Sequence, residues 1–342
     1  MARADMTEAE ADTGRRPGFR ARLRGRRPRR DGHGMWRRGR LLAAVALALA
    51  AAFVLHSEVP NAVGNLGSLW ETFLPWGGVL IPLLLLGAAL RRSATALIAV
   101  LVPSLVWLNL FGGLLADKTG TGGDLTVVTH NVSAGNPDPA ATATQLTGSG
   151  ADVVALEEVS PKQADTYRDA LADAYPYHDI EGTVGLWSRY PLSGSRPVDI
   201  GIGWKRALRS TVATPQGEVA VYVAHLPSVR VQFRSGFTAG QRDDSARMLG
   251  RAIAAEPVDD IVLLGDLNGT MNDRALAPVT SQMRSTQGAA GDGFGFSWPA
   301  AFPMARIDQI MVKGLEPVSS WTLPSTGSDH LPIAASVAFT DD

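Results

Sequence analysis

The chain has 342 residues, a hydrophobic fraction of 45% and a net charge of −1, which exclude a disordered or wholly polybasic protein. It contains no cysteine, so disulfides, thiolate nucleophiles and cysteine-ligated zinc are excluded. Residues 1–40 hold 13 arginines against 5 acidic residues, a net charge of +8, whereas residues 121–342 hold 16 basic against 25 acidic residues, a net charge of −9. This division indicates that the two parts meet different compartments or partners.

Three apolar segments follow the Arg-rich start. They read LLAAVALALAAAFVL (41–55), LWETFLPWGGVLIPLLLLGAAL (69–90) and ATALIAVLVPSLVWLNLFGGLLA (94–116), and Glu71 is their only charged residue. Because a helix needs about 20 apolar residues to cross the hydrocarbon core, we predict three transmembrane helices, at about 38–56, 69–90 and 94–116. A cleaved signal peptide is one alternative, which the long basic region before the first segment disfavours. Buried helices of a soluble domain are the other, which the close succession of three long apolar segments disfavours.

Arginine placement predicts the orientation of these helices. The tail at 1–37 is rich in arginine, Arg91-Arg92 lies between the second and third segments, and the loop at 57–68 has no Lys or Arg. By the positive-inside rule the tail and the Arg91-Arg92 turn are cytoplasmic, so the residues after 116 lie outside the cytoplasm of a multi-pass cell-membrane protein. Contact with anionic lipid explains the basic tail, with nucleic-acid binding as the alternative.

A short Gly/Thr linker, DKTGTGGD (117–124), precedes a domain at 125–342 in which β-rich runs alternate with helix-like stretches. The runs lie at 125–132, 152–159, 185–190, 218–226, 260–268, 306–312 and 333–339, and the helix-like stretches at 161–175 and 241–256. This alternation predicts an α/β layered domain, and the continuous apolar runs are typical of strands covered on both faces. The Gly-rich stretch at 285–303 is expected to be a long loop.

Polar residues that can bind metal or phosphate recur close to the ends of these runs. They are Asn131, Glu158, His225, Asp266, Asn268, Asp308, Asp329 and His330. Each has a structural explanation when taken singly, such as a turn, a helix start or a buried histidine. Their repetition at strand ends, where sheet enzymes commonly place their chemistry, indicates one shared site.

The ordered motifs HNVSAGN, DVVALEEV, GLWSRYPL, VAHL, LLGDLNG, RIDQIMV and GSDHLPI resemble the endonuclease/exonuclease/phosphatase superfamily. That superfamily includes DNase I-like nucleases, inositol polyphosphate 5-phosphatases and neutral sphingomyelinases, and the resemblance spans about 124–339. It implies a four-layer α/β sandwich, with two packed β-sheets flanked by helices, that hydrolyses phosphoester bonds. Glu157 departs from the pattern, because the family usually has Gln there; a second acid either strengthens metal binding or faces away.

The resemblance also implies a role for each polar residue. Glu158 is the expected principal metal ligand, with Asn131 and Asp329 near the metal, and oxygen ligands without thiolates suit Mg²⁺, with Mn²⁺ as second choice. Asp266 orients or deprotonates the attacking water, and Asn268 holds the water or the phosphate. His225 and His330 contact phosphate oxygens, with Asp308 hydrogen-bonded to His330. Asn136, the family's downstream polar position, is a further candidate substrate contact.

Two features of the sequence narrow the range of possible substrates. The net charge of −9 disfavours a nucleic-acid polyanion, although Arg206, Arg209, Arg230 and Arg234 are candidate substrate contacts. The linker spans at most about 30 Å when extended, so the domain stays near the outer leaflet. Aromatic residues in the loops at 230–237 and 293–302 either seat in the membrane interface or pack on the domain.

We therefore predict an outward-facing, metal-dependent phosphatase or phosphodiesterase acting on a lipid phosphate at the outer leaflet. The layout is similar to that of bacterial membrane proteins of the VanJ type, associated with teicoplanin-class glycopeptide resistance. That resemblance implies a polyprenyl (undecaprenyl) pyrophosphate or related cell-wall lipid as substrate. The alternatives are an anchored nuclease, a phospholipase C- or sphingomyelinase-like phosphodiesterase, and a non-catalytic binding module on the same fold. The sequence indicates no protein partner.

Overall fold

The computed structural model describes residues 37–61, 65–229 and 239–340. Four helices come first: α1 (Arg40–Val54), α2 (Leu66–Thr72), α3 (Leu80–Leu90) and α4 (Ala94–Phe111), with a 3-10 helix (Leu74–Val79) between α2 and α3. Most of the predicted Arg-rich tail, residues 1–36, lies outside the described residues, as do the candidate substrate contacts Arg230 and Arg234.

The second apolar segment is not one straight helix. The chain bends by 70° between Leu66–Thr72 and Leu74–Leu90, because Pro75 has no N–H to donate and its ring restricts the residue before it. In the described residues one helix, Ala94–Leu114, is long and apolar enough to cross a membrane, and the bent pair adds a second if it forms one span. The 15 residues of α1 are too few. The three predicted spans are therefore not confirmed.

The C-terminal domain contains all seven predicted β-rich runs as strands, together with shorter strands between them. The strands are β1 (Leu125–Asn131), β2 (Val153–Glu157), β3 (Tyr177–Glu181), β4 (Val184–Ser188), β5 (Leu192–Pro197), β6 (Ala207–Ala213), β7 (Glu218–Ala224), β8 (Ile261–Asp266), β9 (Arg284–Ser285), β10 (Asp308–Lys313), β11 (Leu315–Thr322) and β12 (Ile333–Phe339). The helices are α5 (Pro139–Thr147), α6 (Ala164–Leu171), α7 (Ala239–Ala254), α8 (Ala277–Thr280) and α9 (Thr286–Ala290). The short helix α9 lies within the stretch that was expected to be a loop.

These strands form two mixed sheets. The first has the order β11-β12-β1-β2-β4-β3 and the second β5-β6-β7-β8-β10-β9. One buried cluster joins Val127 and Val153 of the first sheet to Val221 and Leu264 of the second. Further clusters pack α5 and α6 on the outer face of the first sheet, and α7 and α8 on that of the second. The four-layer α/β architecture predicted from the sequence is confirmed.

The helical region meets this domain at the end opposite the Arg91-Arg92 turn. Trp76 Nε1 donates to the Met304 carbonyl (2.8 Å), and the Phe294 ring lies 6.3 Å from the Trp107 ring. Phe296 stacks on Trp76. Three aromatic residues of the 293–302 loop, Phe294, Phe296 and Phe302, thus pack against the helical region, whereas those at 230–237 lie outside the described residues.

Candidate active site

A pocket of about 360 Å³ opens where strand ends of the two sheets converge. Both sheets contribute to it, and so does the helical region through α2. Its lining residues are Ser68, Leu69, Thr72, Phe73, Asn131, Glu158, His225, Ser228, Val229, Asp266, Asn268, Trp298, Ile307, Asp329 and His330. Seven of the eight polar residues that the sequence singled out at strand ends therefore line one cavity, and the eighth, Asp308, lies just behind His330.

The second sheet supplies Asp266 and Asp308, which are directly opposite each other in the antiparallel β8–β10 pair. Asp266 is preceded by Gly265, whose φ is +145°. A Cβ at Gly265 would lie 1.9 Å from the Ala224 carbonyl oxygen of β7. Glycine is required there because any side chain would push β8 away from β7, at whose end His225 lies. The close strand contact thus brings Asp266 and His225 into one site.

The first sheet supplies Asn131 at the end of β1 and Glu158 directly after β2. The Glu158 backbone has φ +60°, a left-handed conformation that is unusual for glutamate and is found mainly where function requires it. One carboxylate oxygen of Glu158 accepts from the Ala134 N–H (3.1 Å), and 37% of the side chain is exposed. The carboxylate of Glu158 is therefore partly accessible from the cavity and can bind a further group.

Asp308 and His330 form a buried pair. Both carboxylate oxygens of Asp308 lie 3.0 Å from His330 Nδ1, and Ser297 Oγ donates to Asp308 Oδ2 (2.5 Å). Burial opposes ionisation of both groups, but their mutual attraction outweighs it, lowering the pKa of Asp308 and raising that of His330 to about 10. His330 is therefore a protonated donor at neutral pH, and its Nε2 lies 3.9 Å from Asp266 Oδ2.

Asp266 is fully enclosed and heavily hydrogen-bonded. Asn131 Nδ2 donates to its Oδ2 (3.1 Å), a contact that crosses between the sheets, and the Asn268 N–H donates to its Oδ1 (2.9 Å). Burial raises the pKa of Asp266 to about 7; the Asp308 charge adds to the rise, and the His330 charge and these hydrogen bonds limit it. A carboxyl group with a pKa near the working pH is suited to exchange a proton during catalysis.

His225 lies near the same Asp266 oxygen as His330, but its pKa is shifted in the opposite direction. Its Nε2 is 3.5 Å from Asp266 Oδ2 and 3.8 Å from Glu158 Oε1, and the ring is 3% exposed. Burial lowers the pKa of His225 well below its usual value, and the positive charges of Arg206 and His330 lower it further. The pocket thus combines a neutral and a protonated imidazole close to one carboxyl group.

The donor groups fit a hard divalent cation. Asp266, Asp308 and His330 each offer a ligand atom within 4.8 Å of the others, but the protonated His330 cannot ligate a metal. Glu158, Asn131 and Asp329 also line the pocket and carry side-chain oxygen atoms, of which Asn131 Oδ1 accepts from the Ser133 N–H (3.1 Å). Such oxygens suit Mg²⁺ better than zinc or copper. Glu157 is not part of this set, because it is fully buried and accepts from Thr129 Oγ1 (2.7 Å).

Two of the predicted substrate contacts are structural instead. Arg209 is 5% exposed, and its guanidinium is bonded bidentately to Glu256, at 2.9 and 2.5 Å. Asn136 is also buried, with Nδ2 donating to Thr142 Oγ1 (2.9 Å). Neither lines the pocket, so the structure does not bring either residue to this site. Arg206 does not line it either, and its guanidinium lies over the Trp204 ring at 5.2 Å.

Some residues of the site were not predicted, because nothing in the sequence pattern marks them as functional. Ser297 binds Asp308 from a Gly-rich stretch expected to be a loop, where a serine carries no information. Ser68, Leu69, Thr72 and Phe73 come from an apolar segment predicted to be membrane-embedded, yet they form one wall of the pocket. Pro75, which has no N–H to donate, is a sequence signal from which the helix break could have been predicted.

Known structures show the same fold. The chain is similar to D. rerio TDP2 complexed with a single-strand DNA product, with 19% identity over 62% of this chain and 98% of that chain and a TM-score of 0.53. It is also similar to a mannosyl-6-phosphatase from Bacteroides thetaiotaomicron, with 15% identity over 63% of this chain and 100% of that chain and a TM-score of 0.52. A third similar structure is beta toxin from Staphylococcus aureus, with 17% identity over 62% of this chain and 99% of that chain and a TM-score of 0.50. At these identities the likeness establishes the fold alone.

Comparison with curated protein sequences finds no match. The sequence pattern of the Endonuclease/Exonuclease/phosphatase family matches residues 128–330, more than half of the chain. The match includes every strand-end residue that converges in the pocket. The chain therefore belongs to the endonuclease/exonuclease/phosphatase family.

Proposed function

We propose that this protein is a membrane-anchored, Mg²⁺-dependent phosphoesterase whose active site lies outside the cytoplasm and acts on a polyprenyl diphosphate or related lipid phosphate. Members of the family are hydrolases that act on phosphoester bonds. The observation that carries the proposal is the grouping of Asp266 Oδ2 with His225 Nε2 (3.5 Å) and His330 Nε2 (3.9 Å) in one pocket, and the pKa of Asp266, raised by burial to about 7, supports it. This grouping offers a base and two phosphate contacts in one enclosed pocket.

In the proposed reaction water attacks the terminal phosphorus of the diphosphate, and Asp266, whose carboxyl group is partly ionised at neutral pH, accepts a proton from that water. The bond from this phosphorus to the bridging oxygen breaks, and the lipid monophosphate leaves with the electron pair of that bond. The protonated His330 donates from Nε2 to a phosphate oxygen, while its Nδ1 remains bonded to Asp308. Asn268 Nδ2 bonds Asp266 Oδ2 (3.2 Å) and the Leu226 carbonyl (2.9 Å), so it fixes the acid in position. Glu158, Asn131 and Asp329 would hold Mg²⁺, which would neutralise charge on the phosphate.

The distribution of surface residues supports membrane anchoring. Among the described residues, the exposed large apolar side chains all lie between Leu41 and Leu115, apart from Tyr177, Trp204 and Phe302. A contiguous apolar surface of this kind needs a non-aqueous neighbour. The Gly39 backbone approaches Ser93, so Arg40 and Arg91-Arg92 share one end of the helices, and the domain lies at the other. Positive charge at one end favours a cytoplasmic location for that end.

The substrate class is inferred from the pocket wall and the domain charge. One wall is part of the apolar helical region, so a phosphate attached to a hydrocarbon can reach Asp266 from the bilayer. The net charge of −9 over residues 121–342 opposes a long polyanion. A polyprenyl diphosphate of the cell wall satisfies both conditions, and its hydrolysis would suit a role in glycopeptide resistance of the VanJ type.

A substrate panel tests the proposal. Full-length protein in detergent is assayed for phosphate release from undecaprenyl diphosphate, for cleavage of sphingomyelin and of phospholipid, and for cleavage of single- and double-stranded DNA, each with Mg²⁺ or with chelator. We expect release from the diphosphate that is lost with chelator. Rapid DNA cleavage without diphosphate hydrolysis would identify a nuclease. Inactivity on every substrate would favour a non-catalytic binding module.

A fusion experiment tests the topology separately. Alkaline phosphatase fused after Asp342 should be active, because that enzyme folds only outside the cytoplasm. Fusions after Arg92 should be inactive, since that turn is proposed to be cytoplasmic. The reverse pattern would contradict the proposed orientation and leave the chemistry of the pocket unaffected.

A further inference from the structure

An apolar groove of about 520 Å³ runs between α1 and α2, beside the catalytic pocket. We call it the α1–α2 groove. Its lining residues are Ala52, Val59, Leu66, Leu69, Trp70 and Phe73. Almost all of the lining surface is apolar, and Leu66 is 50% exposed. The groove therefore cannot bind a phosphate but is suited to a hydrocarbon chain.

The groove and the catalytic pocket share a boundary. Leu69 and Phe73 line both cavities, whereas Ser68 and Thr72 line the pocket and not the groove. One helical turn of α2 thus presents polar side chains to the catalytic residues and apolar side chains to the groove. The wider apolar groove beside Trp107 and Phe294 shares no lining residue with the catalytic pocket. A third cavity, beside Asn109 and Phe296, shares Thr72 alone with the catalytic pocket, whereas the α1–α2 groove shares both Leu69 and Phe73 with it.

The wall between the two cavities is fixed to the catalytic residues. Arg242 of α7 is fully buried and donates from Nη2 to Ser68 Oγ (3.1 Å) and from Nη1 to the Asn268 carbonyl (2.8 Å). Thr270 Oγ1 donates to the Glu71 carbonyl (3.2 Å). These contacts join α2 to the loop that follows β8. The entrance of the groove is consequently held at a constant position relative to Asp266.

We infer that the α1–α2 groove receives the hydrocarbon chain of the substrate. This inference rests on the proposed function, and it assigns the chain of the lipid to a defined path. The phosphate lies against His225, Asp266 and His330, and the first part of the chain passes between Leu69 and Phe73. The rest follows the groove along α1 to the exposed apolar surface. The site thereby selects a phosphate carried on a long flexible hydrocarbon.

Chain-length selectivity provides the first test. The ratio of kcat/KM for undecaprenyl diphosphate to that for farnesyl diphosphate is measured for the full-length protein and for Leu66→Gln. We expect the ratio to fall about tenfold, since even one lost methylene contact in an apolar site changes selectivity by that order. Leu86→Gln is the matched control, because Leu86 of α3 is 57% exposed and lines neither cavity. Leu66→Met should restore the ratio.

The outcomes distinguish the inference from the function on which it rests. If the wild-type protein hydrolyses neither diphosphate, the proposed function is wrong. If it hydrolyses undecaprenyl diphosphate and Leu66→Gln behaves as Leu86→Gln does, the function stands and the groove is not the chain site. Thermal unfolding of both variants shows whether either change has merely damaged the fold.

Photo-crosslinking tests the path without relying on turnover. A polyprenyl phosphate with a diazirine in its chain is irradiated with the full-length protein, and labelled peptides are identified by mass spectrometry. We expect labels on α2 and on the end of α1 near Ala52, and competition by unlabelled lipid. Labels confined to α3 and to the groove beside Trp107 would overturn the inference.

Discussion

The floor and the wall of the catalytic pocket are built from different parts of the chain and have different chemistry. The floor (His225, Asp266, Asp308 and His330) is polar, buried and held by hydrogen bonds between two sheets. The wall (Ser68, Leu69, Thr72 and Phe73) belongs to α2, which precedes the family match at 128–330. The floor therefore carries the chemistry of the family, and the wall is the part with which this chain can select its substrate.

This difference leads to a simple expectation. Changes to the floor should reduce hydrolysis of every phosphoester that the protein accepts, because each substrate presents the same reacting group. Changes to the wall should alter the preference among substrates. Residues outside both should affect stability and leave the rate per folded molecule unchanged.

The largest effect is expected for Asp266→Asn. The amide cannot accept a proton from water, so kcat should fall about a thousandfold on all substrates, the scale of a lost general base. Phosphate release is measured with Mg²⁺, alongside circular dichroism to verify the fold. Asp173→Asn, at an exposed position, is the matched control and should keep wild-type turnover. Retention of near-wild-type activity by Asp266→Asn would exclude Asp266 as the base.

Among the changes considered, the largest effect on the free energy of unfolding is expected for Arg242, which connects the floor to the wall. Arg242→Gln removes the partner of buried Asp273, which lies 2.6 Å from Nη1, and leaves its charge uncompensated. We expect a loss of about 3 kcal/mol in the free energy of unfolding, measured by denaturant titration in detergent. The control is Arg247→Gln on the same helix, where an exposed ion pair with Asp244 should contribute less than about 1 kcal/mol. Equal losses would show that Arg242 does not hold α2 in place.

Asp308→Asn should reduce kcat about a hundredfold, because the negative charge that keeps His330 protonated and oriented is removed. His330→Gln should have a similar effect. Since the two residues act as one hydrogen-bonded unit, the double variant should be little slower than either single variant. Kinetics of the three variants on one substrate measure this coupling. Multiplicative losses would instead show independent roles.

The sequence predicts the floor well because its residues follow strands whose apolar runs are easily recognised. Asp266 and Asp308 belong to β8 and β10, and register alone places them opposite each other. His225 and His330 lie next to the ends of β7 and β12. The strand order in the structure then brings all four together, while their catalytic roles remain predictions.

The wall and the buried ion pair of Arg209 depend on tertiary packing that cannot be predicted from the sequence pattern. Arg209 was expected to contact the substrate, yet its partner Glu256 is 47 residues away and meets it because α7 packs on the second sheet. Apolar composition predicted a continuous span through residues 69–90, and Pro75 breaks it next to the pocket. Long-range pairings and helix breaks of this kind are decided by the tertiary structure.

The Arg209–Glu256 pair, outside both floor and wall, gives the smallest expected effect and a pH dependence. Burial would raise the pKa of Glu256, but hydrogen bonds from Arg209 and Tyr222 lower it below its usual value. A lowered folded-state pKa stabilises the protein above the unfolded pKa of about 4.3, and this contribution is lost as pH falls through the folded-state pKa. Glu256→Gln should therefore reduce the free energy of unfolding by about 2 kcal/mol at neutral pH.

Denaturant titration of the wild type and of Glu256→Gln at several pH values checks this. The difference between their free energies of unfolding should shrink as the solution is acidified. Glu316→Gln is the control, because its pair with Arg284 is more than half exposed on both sides and should contribute less than about 1 kcal/mol. The rate per folded molecule should be unchanged in both variants. A selective loss of hydrolysis in Glu256→Gln would mean that Arg209 acts on the substrate after all, and the boundary of the floor would have to include it.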